Sequence, residues 1–241
     1  MTTILVTGAT SGPGVPLVDL LRSDGRDVRA LSRTPGPGRV VGDLRSGIRD
    51  ALDGAEVVVH LATNRRRDLP DTLRLLRDAA DAGVGHLVFL SIVGVDSIPY
   101  GYYVDKLATE EAISTSGIPF TILRATQFHS FPGEILRMLG GRFFFDLDLQ
   151  PIGVVDVAAR LAELATGAPA GRVADIGGPE ILAGRDILAR LQAAGRARGP
   201  VLSISLPGRT FRAFREGHHI PGLPASGTQT FDEWLSSGAA K

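Results

Sequence analysis

"TILVTGATSGPG", residues 3–14, is an aliphatic and β-branched run that breaks into three closely spaced glycines, Gly8, Gly12 and Gly14, and is followed by the amphipathic pattern "VPLVDLLRSDG" at 15–25. A short buried strand, a glycine turn and a helix start form a site for an anion. Glycine lets the backbone come close to the ligand, and the unpaired amides and dipole of the helix N-terminus favour negative charge. In this strand-to-helix context the ligand expected is the pyrophosphate of a dinucleotide.

Reading outward, the same alternation repeats. "DVRALSR" (27–33), "GRVVGDL" (38–44), "AEVVVHLAT" (55–63), "GHLVFLS" (85–91) and "PFTILRAT" (119–126) have the length and content of buried strands. Between them "SGIRDALDG" (46–54), "LPDTLRLLRDAADAG" (69–83) and "YVDKLATEEAISTSG" (103–117) have helical periodicity, each ending in the glycine expected just past a helix C-terminus. Strands buried on both faces and joined by crossover helices predict an α/β fold with a doubly wound parallel sheet. From about residue 127 the rhythm changes to "FHSFPG" (128–133) and "GRFFFDL" (141–147), and "PIGVVDVAARLAELAT" (151–166) returns to a helical pattern for which Asp156 is the expected N-cap. The division predicted is a nucleotide-binding core over 1–126 and a mixed region over 127–241. The mixed region completes the core at about 151–199 and forms a small C-terminal substrate cap from 127–150 and 200–241.

Composition removes other classes. The chain has 241 residues with 26 basic and 26 acidic side chains, so no net field draws it to nucleic acid or an anionic membrane. It contains no cysteine, which excludes disulfides and thiolate chemistry and suits a reducing cytoplasm. No apolar run approaches the roughly 18 residues of a membrane helix. A cytoplasmic protein is expected, monomeric or homodimeric, with a small molecule as partner and neither nucleic acid nor membrane.

Selectivity among dinucleotides is set at the end of the second strand, where a carboxylate commonly holds the ribose hydroxyls. Here "LSR" places Ser32 and then Arg33, so a 2′-phosphate meets a guanidinium and no repelling acid, which favours NADP(H). "GDL" supplies Asp43 for the adenine amine and Leu44 for its ring; a turn aspartate is the competing reading of Asp43.

"IPYGYYVDKLATEE", residues 98–111, contains all three tyrosines and Lys106, one of two lysines in the chain, the other being Lys241. Tyr102 and Lys106 stand four apart on one helix face. An ammonium beside a phenol stabilises the phenolate, and it can also bond ribose hydroxyls as the planar guanidinium of arginine cannot. Tyr102 is the candidate proton donor, with Tyr103 as rival. Ser91, ending its strand at the carboxyl edge, is the candidate that holds a substrate carbonyl; a turn serine is its alternative reading.

With these residues in hand, "TGATSGPG", "ALSRTP", "GDL", "VVVHLAT", "FLSIVGVD", "YYVDKLATEE", "TILRATQF", "VVDVA", "IGGPE" and "TFDEWL", in this order, the chain resembles the short-chain dehydrogenase/reductase superfamily, and within it the atypical NmrA-like group. The resemblance implies a Rossmann core and cofactor contacts at Gly8, Thr10, Ser11, Gly12, Gly14, Arg33, Asp43, Leu44, Ala62, Thr63 and Lys106. It also implies backbone contacts at Ala125, Thr126, Gln127 and Phe128 beside the nicotinamide. The loop departs from the GxxGxxG usual in this group, since Gly12 follows Ser11. Many members lack the Tyr-x-x-x-Lys pair and do no chemistry; its presence here points to an enzyme.

Three minor features complete the reading. Arg65, Arg66 and Arg67 form a solvated loop or touch an acidic substrate. The histidines His129, His218 and His219 show no metal-site spacing, so no metal is assigned. Phe128, Phe131, Phe143, Phe144, Phe145, Phe211 and Phe214 wall an apolar pocket or serve as core. The function expected is NADPH-dependent reduction of a carbonyl, enone or quinone on an apolar or aromatic small molecule. An NADP(H)-sensing regulator without turnover is the alternative, and a nucleotide-sugar epimerase is disfavoured by the few residues after the sheet.

Overall fold

The computed structural model describes residues 2–64 and 67–238. In chain order the elements are β1 (Thr3–Thr7), α1 (Gly14–Ser23), β2 (Asp27–Ser32), β3 (Arg39–Val41), α2 (Arg49–Leu52), β4 (Val57–His60), α3 (Asp68–Asp81), β5 (His86–Ile92), α4 (Gly101–Ser114) and β6 (Phe120–Ala125). There follow α5 (Phe131–Met138), β7 (Phe143–Phe145), α6 (Val154–Thr166), β8 (Gly171–Arg172), α7 (Gly184–Ala193), β9 (Leu202–Ile204), α8 (Arg209–Arg215) and α9 (Phe231–Ser236).

Seven strands form one sheet in the order β3-β2-β1-β4-β5-β6-β8. The registers run parallel, for example Ile4 beside Val28 on one side and beside Val57 on the other. This is the doubly wound arrangement expected. Its order reverses between β1 and β4, the point at which such sheets open a crevice at their carboxyl ends. Gly25, Gly54, Gly83 and Gly117, predicted to close helices, all have positive φ. The helix expected over 46–54 is a single turn, α2, because its apolar face is only Ala51 and Leu52.

The chain folds as two compact units. The first comprises the chain up to Ser91, Gly101–Arg124 and Val157–Ala174. Its core includes Leu5, Leu52, Val58, Leu75, Leu87, Phe89 and Ile113, all essentially inaccessible. Each such side chain contributes about 1.5–3 kcal/mol by leaving water. The second comprises Ile92–Tyr100, Ala125–Asp156 and the chain from Asp175. It has its own parallel pair, β7 and β9, and a core built on Phe144, Ile187, Leu191, Phe231 and Trp234.

Several of the phenylalanines named above serve this second core. Phe144 lies inside it, Phe131 and Phe145 pack against it, and the Phe211 ring meets that of Phe145 at a tilt, with centres 5.1 Å apart. Asp156 differs from expectation. It lies within the first turn of α6 instead of capping it, and its carboxylate accepts from Thr228 Oγ1 (2.8 Å) and the Gln229 amide (3.1 Å). A distant segment thus claims the oxygens that a local cap would have used. No helix among the described residues is long and apolar enough to cross a membrane.

Candidate functional site

Parallel strands deliver their following loops to one edge, so the residues after β1, β2, β3 and β4 and at the end of β5 gather at the carboxyl side of the first unit. At Gly8, with φ of +68°, a Cβ would stand 2.7 Å from the Ala62 amide nitrogen; at Gly14 it would stand 2.2 Å from the Gly8 carbonyl oxygen. Only glycine permits these approaches of β1 to the end of β4 and of α1 to its own loop. Helix α1 starts with Pro13 as N-cap, with no capping side chain and no acid in its first turn. Gly12 has open space where a Cβ would lie, and Thr10, Ser11 and Gly12 are exposed. These features fit a pyrophosphate: a positive helix end, no competing carboxylate, and room for the anion.

Thr7, just before this loop, ties β1 to β4. Its hydroxyl oxygen accepts from the Leu61 and Ala62 amides (3.2 and 3.1 Å) and lies 2.7 Å from His60 Nδ1. With both lone pairs used, its proton goes to Nδ1, so the His60 proton sits on Nε2 and points to Thr72 Oγ1 at 3.0 Å. His60 is kept neutral: burial first, and Lys106 next, push its pKa down to about 3.

Arg33 is exposed immediately after buried Ser32, whose Oγ accepts from the Thr34 amide at 3.2 Å. Asp43 accepts from the Arg45 amide at 3.0 Å, a local turn bond. Leu44 is half-buried against the core of the first unit. Of the arginine run, Arg67 pairs with Asp71 at 3.4 Å, while Arg65 and Arg66 lie outside the described residues.

A connected set of side chains lies beyond β4. The Tyr102 hydroxyl, half-buried near the start of α4, meets Thr63 Oγ1 at 2.9 Å. Thr63 Oγ1 donates to Asp68 Oδ2 at 2.7 Å, and the same oxygen takes Lys106 Nζ at 3.3 Å. The Asn64 amide donates to the other Asp68 oxygen. Lys106 is 4% exposed and stands 4.5 Å from the Phe89 ring centre. Burial lowers its pKa, opposed chiefly by Asp68. The structure therefore brings Tyr102, Thr63 and Lys106 into one network, with Asp68 as the member that the sequence did not single out. Its only local signal was an acid in the first turn of a helix, where the dipole favours one anyway.

Tyr103 is buried, so of the two rivals Tyr102 has the more accessible phenol. Ser91 is buried too, on the sheet face shared with Phe89, and its hydroxyl has no hydrogen-bond partner among the described residues. Residues 125–128 belong to the second unit. There the Thr126 amide donates to the Ile176 carbonyl (3.0 Å), Thr126 Oγ1 donates to the Gln150 carbonyl (2.6 Å), and Phe128 bridges to Ile152. The Gln127 amide group is buried with neither polar atom bonded among the described residues.

A family model described as NAD(P)H-binding matches residues 8–166, from the glycine loop through the sheet and α4 to the end of α6. The chain belongs to the NAD(P)H-binding family. A relative at 34% identity over 209 residues, covering 78% of this chain and 72% of its own, is a (4-alkanoyl-5-oxo-2,5-dihydrofuran-3-yl)methyl phosphate reductase of Streptomyces griseus subsp. griseus. Among solved structures, the triphenylmethane reductase of Citrobacter sp. complexed with NADP(H) superposes with a TM-score of 0.77 at 17% identity, over 98% of this chain and 99% of that one. A nucleoside-diphosphate-sugar epimerase from Staphylococcus aureus does so with 0.76 at 16% identity, over 98% and 99%. Reductase and epimerase share this NAD(P)H-binding fold, so the fold alone does not choose between them. The relative at 34% identity is a reductase, and the protein is an NAD(P)H-binding oxidoreductase.

Proposed function

We propose that the protein is an NADPH-dependent reductase of a carbonyl, enone or quinone group on an apolar small molecule. The observation that carries this reading is the Tyr102 phenol, half-buried and linked through Thr63 and Asp68 to the Lys106 ammonium. In this reading Gly8, Thr10, Ser11, Gly12 and Gly14 hold the pyrophosphate, Arg33 the 2′-phosphate, Asp43 and Leu44 the adenine, and Ala62, Thr63 and Lys106 the ribose of the nicotinamide half. Ala125 to Phe128 are proposed contacts of the nicotinamide on the resemblance alone, and the second unit is proposed to carry substrate selectivity. Bound NADPH supplies a hydride to an electrophilic carbon. Tyr102 donates the proton to the oxygen on which charge grows, a contribution of about 10²–10⁴ in rate. Ser91, with a hydroxyl free to donate, is the proposed partner of the acceptor carbonyl.

Among the three acceptor classes the activated alkene has added support. The Streptomyces griseus relative's substrate is a furanone whose ring double bond is conjugated to both a lactone and an acyl carbonyl.

The test is NADPH and NADH oxidation against a panel of 2-enones, quinones and ketones. NADPH is expected to serve better, and Arg33→Ala to weaken its affinity about ten- to a hundredfold through loss of a charge-assisted contact of about 1.5–3 kcal/mol. Tyr102→Phe is expected to keep NADPH affinity while turnover falls by about two to four orders of magnitude, with Tyr103→Phe mild. A panel left entirely unreduced, or Tyr102→Phe working at the parent rate, overturns the reading.

A further inference from the structure

Thr63 has one hydroxyl proton and two oxygen partners. The Asp68 carboxylate, which also receives the Asn64 amide and the Lys106 ammonium, takes that proton at 2.7 Å. Across the 2.9 Å contact with Tyr102 the phenol must then be the donor. Asp68 is itself 4% exposed and also holds Lys106, whose side chain is 5% exposed. Among the described residues, the charged or titratable groups facing Lys106 are Asp68 from α3, His60 from β4, and Asp105 and Glu110 from its own helix. His60 is neutral, and Glu110 is occupied by Arg124 of β6 at 2.7 and 2.9 Å. Among the described residues, the direct ion pair of Lys106 is with Asp68.

We propose that Asp68 is the positioning residue of this site: it holds Lys106 as an ammonium inside the protein and, by taking the Thr63 proton, fixes the Tyr102 hydroxyl as a donor. This rests on the reading of Tyr102 and Lys106 as working groups. It deepens that reading by giving the site a direction. While its proton is committed to Asp68, Thr63 can only accept from Tyr102, so across this contact the phenol is the donor. The proton of that phenol then goes to the oxygen that gains charge as hydride arrives.

Because the chain has two lysines, Lys106 and Lys241, protein grown on lysine labelled with carbon-13 at Cε gives two resonances that report protonation directly. Loss of one in Lys106→Met assigns it. Lys106 is expected to be charged at pH 7.5 in the parent, to titrate at lower pH in Asp68→Asn, and to return towards the parent in Asp68→Glu. Thr63→Val is expected to leave the Lys106 curve in place while turnover on the reduced acceptor is lost. A neutral Lys106 at pH 7.5 in the parent overturns the proposal even if Asp68→Asn does not fold, and so does an Asp68→Asn curve that superposes on the parent. The titration needs no substrate. A dead acceptor panel therefore sinks the reductase reading alone, and an unmoved titration sinks the role of Asp68 alone.

Discussion

Helix α4 contributes to two buried ion pairs of opposite construction. Glu110 meets Arg124 through two parallel bonds, from Nε at 2.9 Å and from a terminal nitrogen at 2.7 Å, with both side chains at most 7% exposed. Four residues earlier, Lys106 meets Asp68 through one longer contact of 3.3 Å, with the carboxylate shared among three donors. The guanidinium is a fork that meets the carboxylate edge to edge. The ammonium is a point charge with further donors and leads to exposed hydroxyls. A chain that uses arginine nearly everywhere has its internal lysine in the pair near the carboxyl edge of the sheet. The first pair is read as a clamp between α4 and β6, and the second as part of the working site.

The sharpest way to break this contrast is to remove Glu110. Glu110→Ala takes the carboxylate from the buried Arg124 guanidinium and is expected to cost about 3–5 kcal/mol in urea unfolding, with NADPH affinity of the folded protein retained. Equal loss of affinity would erase the distinction. Arg124→Lys keeps the charge but not the fork, and is expected to cost about 1.5–3 kcal/mol in the same measurement.

A third measurement uses acid. His60, next to the lysine pair, has a folded pKa of about 3 against an ordinary value of 6.5. Below pH 6.5 the unfolded chain gains a proton that the folded one refuses until about pH 3, so stability falls as pH drops through that window and is unaffected above it. The His60 share is about 1.4 kcal/mol per pH unit. His60→Gln should flatten the stability curve between pH 6 and 4 by that slope; an unchanged slope means that His60 titrates normally. The smallest effect expected is that of Lys106→Arg, about tenfold in NADPH affinity, or about 1.4 kcal/mol, with unfolding stability less affected than in Glu110→Ala. Unaltered affinity would place the ammonium outside the cofactor contacts.

Much of this was legible from residue patterns. Glycines at 25, 54, 83 and 117 marked helix ends because a positive φ there excludes most side chains, and the Gly8–Gly14 spacing announced the loop. Tyr102 and Lys106 stood out by rarity. Asp68 did not, since an acid at a helix start is ordinary and its partner is distant in sequence, brought near only when α3 packs on α4. Asp156 misled for the same reason: its oxygens were taken by residues 228 and 229, which local sequence could not foresee. The short α2 shows the opposite failing, a periodic pattern with too little apolar face to extend.

The junction of β1 with β4 also sets an order in time. Thr7 and His60 are 53 positions apart, and Gly8 gains its neighbour Ala62 only when β4 docks beside β1. The chain between them, with two strands and two helices, must be gathered first, at the entropic cost of closing a long loop. In refolding, therefore, the turn at Gly8 is expected to be complete only once β4 docks beside β1. NADPH added to the refolding chain should stay unbound through the early helical phase and be captured with β4, making the cofactor a clock for the closure of the sheet's centre.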